Sequence, residues 1–457
     1  MKKGDIRTGT VETVLFPNRG QTSAEGCTVT VKNTVEGQKI RFQINKKRGG
    51  RLEGRLLEVL EPSPLETETD VCSLFPDCGG CLYCRVPYRT QLAVKEAQIR
   101  RLFRDMKGGS PEDCFEGIKA SPAPAAYRNK MEYSFGDSEI GGPLTLGLHR
   151  RNSMYDVLTA ADCRIVHADF NRITEAALSF CRGRSWTYCS KKTHVGYLRH
   201  LLVRRAHATG EILVDLVTTS QAPAGETEAL DAFAAMLEAL PLEGQITGIL
   251  HTVNDSPADV VRSDRTDILR GRDWFTEILL GLQFRITPFS FFQTNSAGAE
   301  VLYRTVRDFL GDVREKTVYD LYSGTGTIAQ MLAPAAGYVI GVEIVGEAVR
   351  AAEENARQNG LENCRFLAGD VLKVLDEIDR KPDVIVLDPP RDGVHPKALP
   401  HILSYGVGRM VYISCKPTSL VRDLEVIRDA GYRVVRMACV DMFPGTPHIE
   451  SVVLLER

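Results

Sequence analysis

Residues 6–60 alternate apolar and polar positions in short runs. RTGTVETVLF, CTVTVKN and KIRFQINKK are rich in Val, Thr, Ile and Phe and carry the two-residue period of half-buried strands. NRG and EGQ punctuate them as turns. Five short strands in a segment of this length predict a small OB-like barrel. EPSPLETETD (61–70), Pro-rich and acidic, reads as an exposed linker. The period then lengthens. In YRTQLAVKEAQIRRLFRDM, Leu92, Ile99, Leu102, Phe103 and Met106 recur at helical spacing, with cations on the other face. From 118 to 270, strands (EILVDLVTT, QITGILHTV) mix with helices (HADFNRITEAALSFCR, TEALDAFAAMLEAL), which predicts an α+β region. After 271 the apolar runs VYDL, YVIGVE, VIVLD and MVYIS alternate with the helices GEAVRAAEENARQNG and PTSLVRDLEVIRDAG, each closing at a Gly. That alternation predicts a doubly wound α/β sheet with ligands at the carboxyl ends of its strands. The expected domains are 1–61 (barrel), 62–270 (central) and 271–457 (α/β).

Charge adds one asymmetry. The 457 residues hold 57 Lys+Arg and 59 Asp+Glu, a net charge of −2. Residues 1–60 carry 12 cations against 6 anions, so the rest of the chain sums to −8. A basic appendage on a mildly acidic body suggests a polyanion-binding segment. KKRGGRLEGR (46–55), HRR (149–151) and YLRHLLVRRAH (197–207) are candidate contacts to a phosphate backbone. No run approaches the ~18 apolar residues of a membrane span. The opening MKKGDIRTGTVETV lacks the apolar stretch of a signal peptide, so the expected location is the cytoplasm, with no membrane partner. Twelve cysteines in this length do not make a secreted disulfide scaffold. Four of them, Cys72, Cys78, Cys81 and Cys84, fall within thirteen positions around Gly79 and Gly80. Thiols so close together suggest a metal centre, either zinc or an iron–sulfur cluster.

The chemistry concentrates after residue 290. DLYSGTGTIA (320–329) ends a strand and opens a helix, and Gly324 and Gly326 permit a tight turn and close approach to a ligand. Glu343 ends the next strand, where a carboxylate can accept both ribose hydroxyls of a nucleoside. Asp370, in AGDV, follows a third strand, in place to read an adenine amino group, and Asp388 ends a fourth in VLDPPRDG. A dinucleotide site is the competing reading of the turn, which lacks the third glycine of that fingerprint. DPPR also admits an amino methyltransferase, but Arg391 stands where that chemistry places an aromatic residue. This order of turn, ribose Glu, adenine Asp and DPPR resembles the class I S-adenosylmethionine-dependent methyltransferases, whose sheet is Rossmann-like.

VYISCKPTSLVRDL (411–424) puts Cys415 directly after a strand and before a helix, whose N-terminus is expected to lower the thiol pKa. A thiolate serves a methyltransferase that works on pyrimidine carbon 5. Addition to carbon 6 turns the ring into an enolate, carbon 5 attacks the methyl sulfonium, and a base then removes the carbon 5 proton so that the enzyme is released. Glu450, two positions after His448 in FPGTPHIE, is the candidate base. In SFFQTN (290–295), Phe291, Phe292, Gln293 and Asn295 offer stacking faces and polar edges for an extruded base, with at least one phenylalanine expected in the core.

SCKP, DPPRDG, DLYSGTG, SFFQTN and FPGTPHIE together resemble the RNA 5-methyluridine methyltransferase family, over nearly the whole chain. Residues 1–60 resemble the TRAM barrel that members acting on 23S ribosomal RNA carry. The resemblance implies Cys415 as nucleophile and Glu450 as base. It implies S-adenosylmethionine contacts from Gln293, Tyr322, Glu343 and Asp388, with Gly324, Gly326, Thr327 and Asp370 nearby, and Phe291 stacked on the target uracil. It also implies a [4Fe–4S] cluster on Cys72, Cys78, Cys81 and Cys163, with Cys84 competing for the fourth place. The chain departs from the family pattern at SCKP and at Thr327. The expectation is a monomeric enzyme that methylates carbon 5 of a 23S rRNA uridine. A tRNA enzyme is the alternative, and an RNA-binding chaperone a more remote one.

Overall fold

The alternation over residues 6–61 closes into a five-stranded barrel in the computed structural model, which describes residues 1–106, 111–258, 263–374 and 378–457, without the side chains of Arg48 and Glu112. The strands are Ile6–Leu15, Arg19–Ala24, Cys27–Lys32, Lys39–Arg48 and Arg51–Glu61, with the last running between the third and the fourth. Val11, Val14, Val29, Val31, Ile40, Phe42, Ile44 and Leu52 fill the interior. Closure leaves no free edge to aggregate. The linker after the barrel is only partly exposed: Ser63 is buried and bonds Glu36 O, and Glu66 accepts from Gln38 Nε2 at 2.9 Å. Asn18 docks the barrel onto the helix Tyr88–Arg104. Its N–H donates to Gln98 Oε1 (3.2 Å), and its side-chain oxygen accepts from Gln98 Nε2 (3.0 Å) and from the Tyr83 hydroxyl.

The central region is a seven-stranded sheet in the order Arg265–Gly271, Gln245–Val253, Glu211–Thr218, Leu198–Arg205, Lys130–Gly136, Thr145–His149, Val157–Thr159. Two helices, Ala168–Gly183 and Glu226–Glu238, bury Phe170, Ile173, Leu178, Phe233 and Leu237 against Leu201, Val203, Val214 and Ile249.

The third element is an eight-stranded sheet in the order Cys364–Ala368, Ala336–Glu343, Val313–Leu321, Val384–Leu387, Arg409–Ser414, Glu450–Glu456, Arg433–Val440, Phe115–Lys119. The first five run parallel. Glu450–Glu456 is inserted antiparallel between its neighbours. Helices cover both faces. Leu302, Val306 and Phe309 of Ser296–Leu310 pack on one, and Leu420, Leu424 and Ile427 of Pro417–Asp429 on the other. This is an α/β, Rossmann-like sheet joined to a small barrel and an α+β region. The strand Phe115–Lys119, upstream of residue 271, forms its far edge. The helix Tyr88–Arg104 also packs on this sheet through Ile99 and Phe103. Among the described residues no helix is long and apolar enough to cross a membrane.

Candidate active site

The strand Val313–Leu321 delivers the chain to a turn at the carboxyl edge of the sheet, before the helix Thr327–Leu332. Tyr322 adopts φ 68°, and its N–H and that of Ser323 both donate to Val342 O (2.9 and 3.0 Å). Gly324 and Gly326 also have positive φ, 54° and 70°. Their needs differ. A Cβ at 326 would lie 2.4 Å from Phe366, whereas one at 324 would meet nothing within 4 Å. Gly326 therefore serves packing, while Gly324 faces open space that a ligand can enter. Glu343, at the end of the adjacent strand, accepts the N–H groups of Gly324 (3.0 Å) and Val345 (2.9 Å). These bonds fix the carboxylate and leave lone pairs for hydroxyls. Asp370 caps the short helix Val371–Val374 through Leu372 N–H (3.0 Å), and Thr327 is buried in the first turn of its own helix.

Asp320 was not singled out in the sequence. It is fully buried in the strand end, accepts from Ala329 N–H (2.9 Å) and leaves Oδ1 unpartnered. Burial, then the nearby Asp388, holds its carboxyl well above the usual range. Burial alone pushes Asp388 up to about 7. An acidic residue inside the apolar run VYDL was the available signal, since a buried carboxylate is costly without a purpose.

Cys415 and Glu450 come together through register. Ser414 pairs with Ser451 across antiparallel strands, which places Cys415 opposite Glu450 at the same edge. Glu450 is buried, and burial first, then Asp388, drives its carboxyl far up, against the opposing pull of Arg391. The Cys415 thiol is pushed up to about 11 by burial, then by Glu450 and Asp388, while Arg391 draws it down. The expected lowering by the helix N-terminus is thus outweighed: burial and two carboxylates exceed the field of Pro417–Asp429. Arg391, read in the sequence only as a missing aromatic, is the cation of this group.

The SFFQTN segment divides its labour. Phe291 is 69% exposed, and its carbonyl accepts from Thr325 Oγ1 (3.3 Å), so the free ring stands beside the glycine turn. Phe292 is 6% exposed and packs on Phe284 in the core. Gln293 is half-buried, and its carbonyl accepts from Asn129 Nδ2 (2.9 Å). Asn295 cannot read a base. It is fully buried, caps Ser296–Leu310 by accepting Gly298 N–H (2.8 Å), and donates to Ser121 Oγ and Met442 O. The buried Arg204 donates to the carbonyls of Thr287, Pro288 and Ser290, holding the start of this segment.

Much of the basic sequence is used internally. Arg199 donates to the carbonyls of Asn254, Ser256 and Ala258, and Arg205 pairs with Asp169 (3.1 Å). Arg150 pairs with Asp77 (2.8 Å), and Arg151 bonds the carbonyls of Pro76, Cys78 and Cys81. Lys47, Arg51 and Arg55 of the barrel remain exposed.

The cysteines share one neighbourhood. The free thiols of Cys81 and Cys84 are hydrogen-bonded to one another, and Cys163 lies within electrostatic reach of Cys72, Cys78 and Cys81. Among the described residues, however, no three His, Cys, Asp or Glu side chains converge closely enough to hold a metal ion.

A sequence model described as tRNA (Uracil-5-)-methyltransferase matches residues 259–457. A protein of Clostridium tetani named an uncharacterized RNA methyltransferase is 46% identical over 457 residues, covering 100% of this chain and 99% of that one. Another of the same description, from Clostridium acetobutylicum, is 45% identical with the same coverage. The chain belongs to the RNA uracil-5-methyltransferase family. As an RNA uracil-5-methyltransferase it is an enzyme acting on RNA. Its fold matches that of the Pyrococcus abyssi tRNA (uracil-54, C5)-methyltransferase, solved with S-adenosyl-L-homocysteine. That match has a TM-score of 0.75 at 24% identity and covers 98% of this chain and 100% of that one.

Proposed function

We propose that this uracil-5-methyltransferase modifies an everted uridine of 23S rRNA through a covalent bond from Cys415 to carbon 6. The observation that carries the mechanism is the register that sets Cys415 against Glu450 beside the glycine turn. S-adenosylmethionine, when bound, supplies an electrophilic methyl group. Gly324 leaves room for it, Glu343 is aimed to receive its ribose hydroxyls, and Asp388, whose carboxyl burial raises, would be drawn to its ionised form by the donor's sulfonium charge. Tyr322, Gln293, Thr327 and Asp370 complete that side. Phe291 gives the uracil a stacking face. The Cys415 thiolate adds to carbon 6, and carbon 5 of the resulting enolate takes up the methyl group. Glu450, a base of high affinity for protons, then removes the carbon 5 hydrogen, and the carbon–sulfur bond breaks to restore the thiolate.

The barrel with its exposed cations supports a ribosomal target. A tRNA target is the second reading, favoured by the name of the matching family and by the full-length likeness to a tRNA enzyme. Mapping 5-methyluridine in 23S rRNA and tRNA from cells with and without the gene decides between them. The ribosomal reading predicts loss from 23S rRNA alone; loss from tRNA alone overturns it.

The cysteine loop is read as a [4Fe–4S] site on Cys72, Cys78, Cys81 and Cys163. The support is chemical: Cys163 interacts electrostatically with Cys72 and Cys78 of the loop, and Arg151, beside Cys78, Cys81 and Cys84, offsets thiolate charge. No step of methyl transfer passes through it. Iron and sulfide content of anaerobically prepared Cys163→Ser should fall and that of Cys84→Ser should not; the reverse assigns the fourth place to Cys84.

A further inference from the structure

We infer that Lys95 is a positioning residue for Glu450, acting through the connection 441–449. The inference rests on Glu450 being the base. Val440 and Glu450 are paired across neighbouring strands, so the segment between them decides how Glu450 enters the site. That segment contains Pro444, Gly445 and Pro447 and forms no ladder of its own. Lys95 is 1% exposed. Its Nζ donates to Asp441 Oδ1 (2.6 Å), Phe443 O (3.2 Å) and His448 O (3.2 Å). An ammonium has three N–H groups. All three go to this one connection, at its start, near its middle and two residues before Glu450.

The neighbouring residues work on the same segment. Gln91, one turn earlier on the same helix face, accepts Gly445 N–H (2.8 Å). The N–H groups of Leu82 and Tyr83, in the cysteine loop, donate to Gly445 O (2.8 and 3.0 Å). Tyr127 donates its hydroxyl to Pro444 O (2.9 Å). Burying a lysine is costly, and apolar residues of similar volume serve stability as well or better. What a lysine provides here is three fixed points on the segment that aims the base.

The consequence is specific to one step. Glu450 acts after methyl transfer, taking the carbon 5 proton as the C5–H pair forms the C5–C6 double bond and the Cys415 thiolate leaves. Misplacing Glu450 stalls that elimination and leaves addition and methylation intact. The test uses the full chain and ordinary, unfluorinated RNA. In Lys95→Met with Asp441→Asn, no buried carboxylate is left unpaired. The variant should unfold in a single thermal transition, keep its KM for RNA and lose about ten- to a hundredfold in kcat. It should also accumulate a methylated RNA–protein adduct on denaturing gels, as Glu450→Gln does. Lys95→Arg keeps the charge but cannot place three donors on the same oxygens, and should accumulate the adduct as well. Unchanged turnover, or reduced turnover with no adduct while Glu450→Gln accumulates one, overturns the positioning role. Full turnover in Glu450→Gln without any adduct overturns the reading of Glu450 itself, and that outcome is separate from anything Lys95 does.

Discussion

At the scale of single residues, the site is a set of buried acids around a thiol. Cys415 is held near 11 by burial, Glu450 and Asp388. Alkylation of Cys415 in the ligand-free enzyme, followed by mass spectrometry, should therefore have an alkaline midpoint well above that of a free thiol. Glu450→Gln removes one of the two carboxylates and should move the midpoint down; no movement contradicts the shared field. Asp388 gives a second test. Its folded carboxyl sits near 7 against an ordinary 3.8, so the folded state binds the extra proton between those values. Stability of the ligand-free enzyme should fall as pH rises through that window, by about 4 kcal/mol at most from this group. Asp388→Asn should flatten that part of the urea-denaturation profile, and an unchanged slope contradicts it. The placement of Cys415 between a strand end and a helix start, and of Glu450 at the head of the last strand, was legible from the sequence. Their high proton affinity was not, because it comes from burial in the folded site and from Asp388, which arrives from another strand end, against the pull of Arg391.

At the scale of elements, the same short motif can hold exposed and structural parts. SFFQTN reads as one recognition segment, yet Phe291 is free while Asn295 caps a helix and ties Ser121 to Met442. Alternation and composition do not distinguish them; the partners at 121 and 442 are far away in the chain. Asn295→Ala should lower stability by about 1–2 kcal/mol, as loss of a buried cap does. Phe291→Ala should change stability by less than about 0.5 kcal/mol and raise KM for RNA instead. Thermal unfolding together with steady-state kinetics separates the two, and equal destabilisation would contradict the division. The glycine turn was readable as a tight turn, but only packing shows that Phe366 excludes a Cβ at Gly326, whereas Gly324 faces open space and is favoured by its φ of 54°.

At the scale of the whole molecule, the barrel, the α+β region and the doubly wound sheet follow from the changing hydrophobic period. The contribution of Phe115–Lys119 to the far edge of the sheet does not, because a five-residue strand carries no sign of its partner. Nor does sequence show that 197–207 spends its arginines inside the fold. Of the three basic stretches, 46–55 in the barrel is the one that keeps its described cations Lys46, Lys47, Arg51 and Arg55 exposed. Lys47→Ala with Arg51→Ala should weaken RNA binding and shallow its salt dependence, by about one unit of slope for each phosphate no longer neutralised. Filter binding over a salt series measures this, and an unchanged slope places the RNA backbone elsewhere on the surface. The central claim is the bond between this protein and its RNA. With RNA containing 5-fluorouridine at the target, where fluorine cannot leave as a proton, the enzyme and S-adenosylmethionine should give a stable adduct, with peptide mapping to Cys415 and none formed by Cys415→Ser. Full turnover by Cys415→Ser, or methylated RNA with no trapped species, would contradict it.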